Sequence, residues 1–159
     1  MPIYLKIGDI KGNATSSSHI GWIEASSISA PMARKTEDGA RTVAERLGTL
    51  IIGHLDISRN LDKASVKLVE ACASGSLFPE VKLHITTPLG DGEQVLFELI
   101  LNDVLVASHS FHVVGGASQD ISEALSLSYV AIKWVYMNFD PKMGRPMGQV
   151  DAQYTWKQE

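Results

Sequence analysis

An apolar and polar alternation with a period of two constrains this chain more than any other feature. Ile3, Leu5 and Ile7 alternate with Tyr4, Lys6 and Gly8, and Val81, Leu83 and Ile85 with Lys82, His84 and Thr86. Val95, Phe97, Leu99 and Leu101 keep one phase while Gln94, Leu96, Glu98 and Ile100 keep the other. Successive side chains of a strand point to opposite faces, so these segments are strands with one buried face. Further strands are expected near Ile20–Ile28, Leu50–Ile57, Val104–Val113, Leu125–Tyr136 and Gln153–Trp156. Turns are expected at Thr87–Gly92, Asn102-Asp103, Gly115-Gly116 and Asp140–Gly148. A one-faced sheet must cover its apolar side, which leaves two packed antiparallel sheets or a closed barrel as the expected architecture. A chain of 159 residues is enough for one such domain, spanning 1–159.

Two segments depart from that period. Leu61, Ala64, Leu68, Ala71 and Cys72 recur at spacings of three and four, which predicts one amphipathic helix over about 61–74. Asn60, Asp62 or Ser65 is its cap, and Gly75 suits the left-handed residue that ends it. Pro31–Gly48 is a long, charged, extended loop carrying Arg34, Lys35, Glu37, Asp38, Arg41, Glu45 and Arg46, with room for a helical turn or two in Ala40–Leu47.

The stretch from His54 to Gly75 holds a His, two Asp, an Arg, two Lys, a Glu and the only Cys, an inventory that raises the question of catalysis. Its periods answer against it. Leu55 and Ile57 share one strand face, which leaves His54, Asp56 and Ser58 on the polar one. Cys72 falls on the apolar stripe of the last helical turn, where the helix dipole disfavours a thiolate, so it reads as a buried core residue. His109 and His112 are three apart on a strand and point to opposite faces, so they do not read as a metal pair. Neither G-x-S-x-G, a phosphate-binding loop nor a dinucleotide fingerprint is present. Trp134 and Tyr136 share a strand face with Ile132, and Tyr154 and Trp156 lie near the C-terminus; with few basic neighbours they suit core or subunit-interface packing better than base stacking. No catalytic residue, metal ligand or cofactor is expected.

Composition narrows the partners. With 14 Lys and Arg against 18 Asp and Glu, a net charge of −4 and scattered basic residues, nothing points to nucleic acid. The longest apolar stretch, Val95–Ala107, is broken by Glu98, Asn102 and Asp103, so no membrane insertion is expected. A single Cys and an N-terminus without a basic lead into an apolar run point to synthesis in the cytosol, with no signal peptide of the general secretory kind.

Order and spacing of particular residues carry a resemblance beyond this. Ile3-Tyr-Leu-Lys-Ile-Gly-Asp-Ile-Lys-Gly-Asn13, Leu50–Ile57 feeding Asp62-Lys-Ala-Ser65, Leu68-Val-Glu-Ala-Cys-Ala-Ser-Gly75, Leu101–Ser108 and Glu123–Tyr136 together resemble the Hcp family, the haemolysin-coregulated proteins of bacterial type VI secretion systems. The resemblance covers nearly the whole chain, and the D-K-[AS]-S … A-C-x-x-G segment is its most specific part. It implies a β-barrel of two antiparallel sheets with one flanking helix. Homo-hexameric rings stack head to tail into a hollow tube inside a contractile sheath, tipped by a spike protein. The tube is cytoplasmic before firing and secreted afterwards, and its lumen can carry or chaperone effector proteins. It also implies no enzymatic activity where, as here, no toxin domain follows. The family's extended loop, which reaches neighbouring subunits or rings, matches Pro31–Gly48. Its effector-contacting lumen position falls on Ser29, flanked here by Ile28 and Ala30 where members often carry aromatics. A contractile-phage tail-tube protein shares the architecture, and a small hydrolase using His54, Asp56 or Cys72 is the alternative from another class.

Overall fold

The computed structural model describes residues 1–155 apart from 37, 40, 90, 91, 117–119, 141, 143 and 144. The strands are β1 Ile3–Ile7, β2 Ile23–Ala25, β3 Ser27–Ser29, β4 Met32–Lys35, β5 Thr49–Ile52, β6 Leu55–Asn60, β7 Leu77–Leu89, β8 Gly92–Val113, β9 Ile121–Ser128, β10 Ala131–Phe139 and β11 Pro146–Thr155; β4 lies within the segment expected as a loop, and β11 begins well before the expected Gln153. Two helices interrupt them, α1 Val43–Leu47 and α2 Ser65–Ser74. Every pairing is antiparallel.

The two sheets are unequal. Nine strands form one, along the path β2-β1-β7-β8-β9-β6-β3 with β10 and β11 branching from β8, and β4 and β5 form a separate hairpin. The two ends of the long path, β2 and β3, are joined through Ser26 alone, and the Ser26 N–H donates to the Ser58 carbonyl of β6 at 2.8 Å. One short segment thus pairs first with β1 and then with β6, so the sheet wraps round to where it began. Inside the wrap lie Leu5, Ile7, Ile23, Leu55, Ile57, Leu83, Leu101, Leu125 and Leu127, and Leu68 of α2, with Ala64 just before the helix, closes over them. Burying each such side chain contributes roughly 1.5–3 kcal/mol.

Several boundaries differ from the sequence reading, each for a backbone reason. Asn102-Asp103 is no turn: Asp103 takes a left-handed φ of 51°, which Asp tolerates, and β8 runs through it. Leu125–Tyr136 is two strands, because the Val130 N–H donates to the Asn102 carbonyl at 3.1 Å and one long β8 is flanked by β9 and then by β10. Leu50–Ile57 also divides, at Gly53 and His54: Gly53 lies so close to Pro31 that a Cβ there would meet Pro31 Cγ at 2.6 Å. Strands occupy Thr87–Leu89 and Pro146–Gly148, which were expected as turns. The helix starts at Ser65 and leaves Leu61 exposed, but it ends as expected at a left-handed Gly75, φ 69°. Cys72 is half-buried against the core rather than enclosed by it. Trp156 lies outside the described residues.

Candidate functional site

Ser29 sits on β3 opposite Asp56 of β6, Asp56 opposite Ser126 of β9, and Ser126 opposite Ser108 of β8. The next row reads Ser27, Ser58, Ala124 and Ser110. Seven of these eight are exposed and Ser126 is half-buried. Cross-strand partners share a face, so these rows make one wall of small hydroxyls and a carboxylate on the outside of the wrap, opposite the face that Leu55, Ile57, Leu125 and Leu127 turn into the core. Asp56 accepts a hydrogen bond from Ser126 Oγ at 2.6 Å. None of the eight residues is a large apolar side chain or a cation.

His54, Asp56 and Ser58 are exposed, as the alternation requires, and Cys72 is on α2, packed to the core. Among the described residues no group of three or more His, Cys, Asp and Glu side chains is placed to hold a metal. His109 and His112 do part company. His112 is exposed, while His109 turns inward, its Nε2 2.5 Å from Glu123 Oε1.

That inward contact belongs to a buried network that the sequence reading passed over. Arg59 and Glu123 stand directly opposite each other on β6 and β9, both almost fully buried, with Arg59 Nη1 paired to Glu123 Oε2. Ser65 Oγ, the first residue of α2, donates to Glu123 at 2.8 Å and accepts from Arg59 at 3.1 Å, while Asp62 takes the other guanidinium nitrogen at 2.6 Å. Asp62 Oδ1 also accepts from the Ala64 N–H at 2.8 Å. The D-K-A-S segment is therefore the corner that fastens α2 to the barrel. Its signal was present: Arg59 keeps the phase of Leu55 and Ile57, and Glu123 that of Leu125 and Leu127. Among the described residues no buried side-chain nitrogen or oxygen lacks a partner.

The segment expected as an extended loop is an arm. β4 and β5 pair only with each other, and their root is the Gly53 N–H donating to the Pro31 carbonyl at 3.0 Å. Arg34 Nη1 donates to the Leu47 carbonyl at 2.7 Å. Thr42 caps α1, with its side chain accepting from the Glu45 N–H while the Glu45 carboxylate accepts from the backbone of Arg41 and Thr42. Those two backbone donors hold the Glu45 carboxyl below its usual range. Met32, Val43, Leu47 and Ile51 are all exposed on the arm. The arm is thus a structured, solvent-facing hairpin whose apolar side chains are left uncovered.

The chain is thus a wrapped antiparallel sheet with a polar wall on its outer face and a hairpin arm projecting from it. Residues 4–136 match the family described as type VI secretion system effector, Hcp. The chain belongs to the Hcp family of type VI secretion proteins, and is a tube subunit of that system. It is 27% identical over 134 residues to the protein hcp1 of Pseudomonas aeruginosa, covering 84% of this chain and 82% of that one. A solved type six secretion system protein shares its fold at a TM-score of 0.88 and 24% identity, over 97% of this chain and 94% of the other. Hcp1 from Salmonella typhimurium does so at 0.75 and 24%, over 98% and 94%. No helix of the described residues is long and apolar enough to cross a membrane.

Proposed function

We propose that six copies close into a ring, that rings stack head to tail into a hollow tube, and that the wall carrying Ser29 faces the lumen. The observation that carries this reading is the pair of rows on β3, β6, β9 and β8, where small polar residues replace everything that would grip a passing protein. Hydroxyls and a carboxylate keep their water, so effector proteins are held weakly and released. A contact that repeats by rotation closes a ring, and a second one between ring faces propagates without closing. The arm is suited to that second contact, since its charges are mixed and its apolar tips are few. The assembled tube lies in the cytoplasm inside the sheath, carries the spike at its tip, and is expelled from the cell on firing.

This reading makes the chain a carrier and not an enzyme, and the exposed His54 and Asp56 remain parts of the polar wall. The deciding experiment is the native mass of the purified protein with negative-stain images. Six-membered rings with an open centre support the proposal, and a compact monomer at high concentration overturns it. A Ser29→Trp variant should still form rings yet lose effector export. The phage-tail alternative predicts the same rings and is separated by neighbouring genes.

A further inference from the structure

The chain between β1 and β2 doubles back over the outside of the sheet. Tyr4, His84, Glu98 and Val135 form one row across β1, β7, β8 and β10, on the face opposite Leu5, Leu83 and Leu99. Alternation alone would leave that row in water, yet Tyr4 and Val135 are each only 5% exposed. The roof over Tyr4 and His84 is His19, itself 3% exposed, which stacks on the Tyr4 ring at 4.4 Å and meets the His84 ring edge-on at 5.1 Å. The Gly12 N–H donates to the Gly21 carbonyl and the Gly21 N–H to the Ala14 carbonyl, which gives the segment its shape.

Beside the Ser16 hydroxyl, which donates to Glu93 at 2.7 Å, and the packing of Ile10 and the buried Ala14, the segment is attached by a file of ring nitrogens. Ser18 Oγ lies 2.8 Å from His19 Nδ1, His19 Nε2 lies 2.8 Å from His84 Nδ1, and His84 Nε2 lies 2.5 Å from Glu98 Oε2. An ionised carboxylate only accepts, so His84 carries its hydrogen on Nε2 and leaves Nδ1 bare. His19 must then donate from Nε2, and its bare Nδ1 accepts the Ser18 hydroxyl. The file has room for one added hydrogen: with both His84 nitrogens carrying one, Nε2 still donates to Glu98 and Nδ1 donates to His19 Nε2, while His19 switches tautomer and donates from Nδ1 to Ser18 Oγ. A second does not fit, because both facing ring nitrogens would then carry hydrogens at hydrogen-bonding distance.

The surroundings do not rescue the second proton. Glu93, from β8, is occupied by Tyr4, Ser16 and Thr86; burial works to raise its carboxyl, but those hydroxyls outweigh it and hold it below the usual range. Glu24 stands opposite Tyr4 on β2, and the Lys6 ammonium, 5.9 Å over the Trp22 ring, adds positive charge on the same side. Burial first, and then His84, lower the His19 imidazole below its ordinary value, against a smaller opposite pull from Glu93.

We propose that His19, His84 and Glu98 form an acid-sensitive latch that fastens the 8–22 segment to the barrel, admitting one added proton and opening on the second. The latch is independent of whether rings stack into a tube. His19 titrates lower when latched than when free, so the open state binds the extra proton. The fastening is complete above the free imidazole range, near 6.5, and is lost as pH falls below it. Each proton taken up only on opening changes the opening constant about tenfold per pH unit.

Hydrogen exchange at the Gly12 and Gly21 amides, corrected for intrinsic rates, reads the opening directly. Below about pH 6 their protection should fall by up to tenfold per pH unit, while the amides of Leu83 and Leu101 in the core strands change far less. His19→Phe keeps a ring on Tyr4 and removes both ring nitrogens of the latch, so protection in that variant should lose its pH dependence. Imidazole nitrogen shifts of the unaltered protein give a second readout that needs no variant, with both rings protonated on Nε2 at about pH 8. Protection that ignores pH, an equal slope in His19→Phe, or a hydrogen on His84 Nδ1 at that pH would each overturn the proposal.

Discussion

The two helices are stabilised in opposite ways. α2 has no side-chain cap at its N-terminus, and it is fastened by Ser65, Leu68 and Ala71 buried on the barrel and by the Arg59–Glu123 corner beneath its first turn. α1 buries nothing and has a complete capping box. Short helices are marginal in water, so each needs help, from tertiary packing in one case and from local hydrogen bonds in the other. A helix built into the core serves the monomer, whereas one folded in the open on an arm is available to something else.

The comparison breaks most sharply at the corner. Glu123→Ala leaves the buried Arg59 guanidinium with Asp62 as its one carboxylate partner, beside the Glu24 carbonyl and the Ser65 hydroxyl, and chemical denaturation should show a loss of about 3–5 kcal/mol. Leu68→Ala removes the centre of the α2 stripe and should cost roughly 2–5 kcal/mol by the same measurement. If either variant melts like the parent, α2 is not held by packing and the contrast with α1 disappears.

Most strands were legible in the sequence, because alternation survives any register, whereas the fully exposed β4 has no buried face to mark it and was expected as loop. What failed depended on where the chain bends. Asp103 was read as a turn although its left-handed backbone lets β8 continue, and the true break at Tyr129-Val130 has an apolar sequence that gives no warning. Arg59 and Glu123 were visible as charges on apolar phases, but only the register that sets them opposite each other makes them partners. His19 and His84 are 65 residues apart and meet only because the 8–22 segment folds back, which no period records. Ser29 was placed by resemblance, and the wall around it emerges only when four strands are laid side by side.

Smaller effects sharpen the same contrast. Gly75 ends α2 at φ 69° with nothing within 4 Å of an added Cβ, so Gly75→Ala meets no clash, only the backbone cost of that conformation. Thermal unfolding should report a loss of about 1–2 kcal/mol. A result near zero would mean that the end of α2 shifts to relieve the strain.

Thr42→Ala should have the least effect on global unfolding, and that is its use. Removing the cap costs α1 about 1 kcal/mol, but α1 buries no residue, so the barrel's melting temperature should not move. Hydrogen exchange should instead show the Glu45 and Arg46 amides losing protection, since these donate to the Thr42 hydroxyl and carbonyl. If the arm serves contacts between copies, the variant's rings should also stack less readily at equal concentration, because a frayed helix must be reordered before it can dock. A drop in barrel stability comparable to that of Leu68→Ala would instead show that the arm leans on the body, and its freedom to reach another copy would have to be given up.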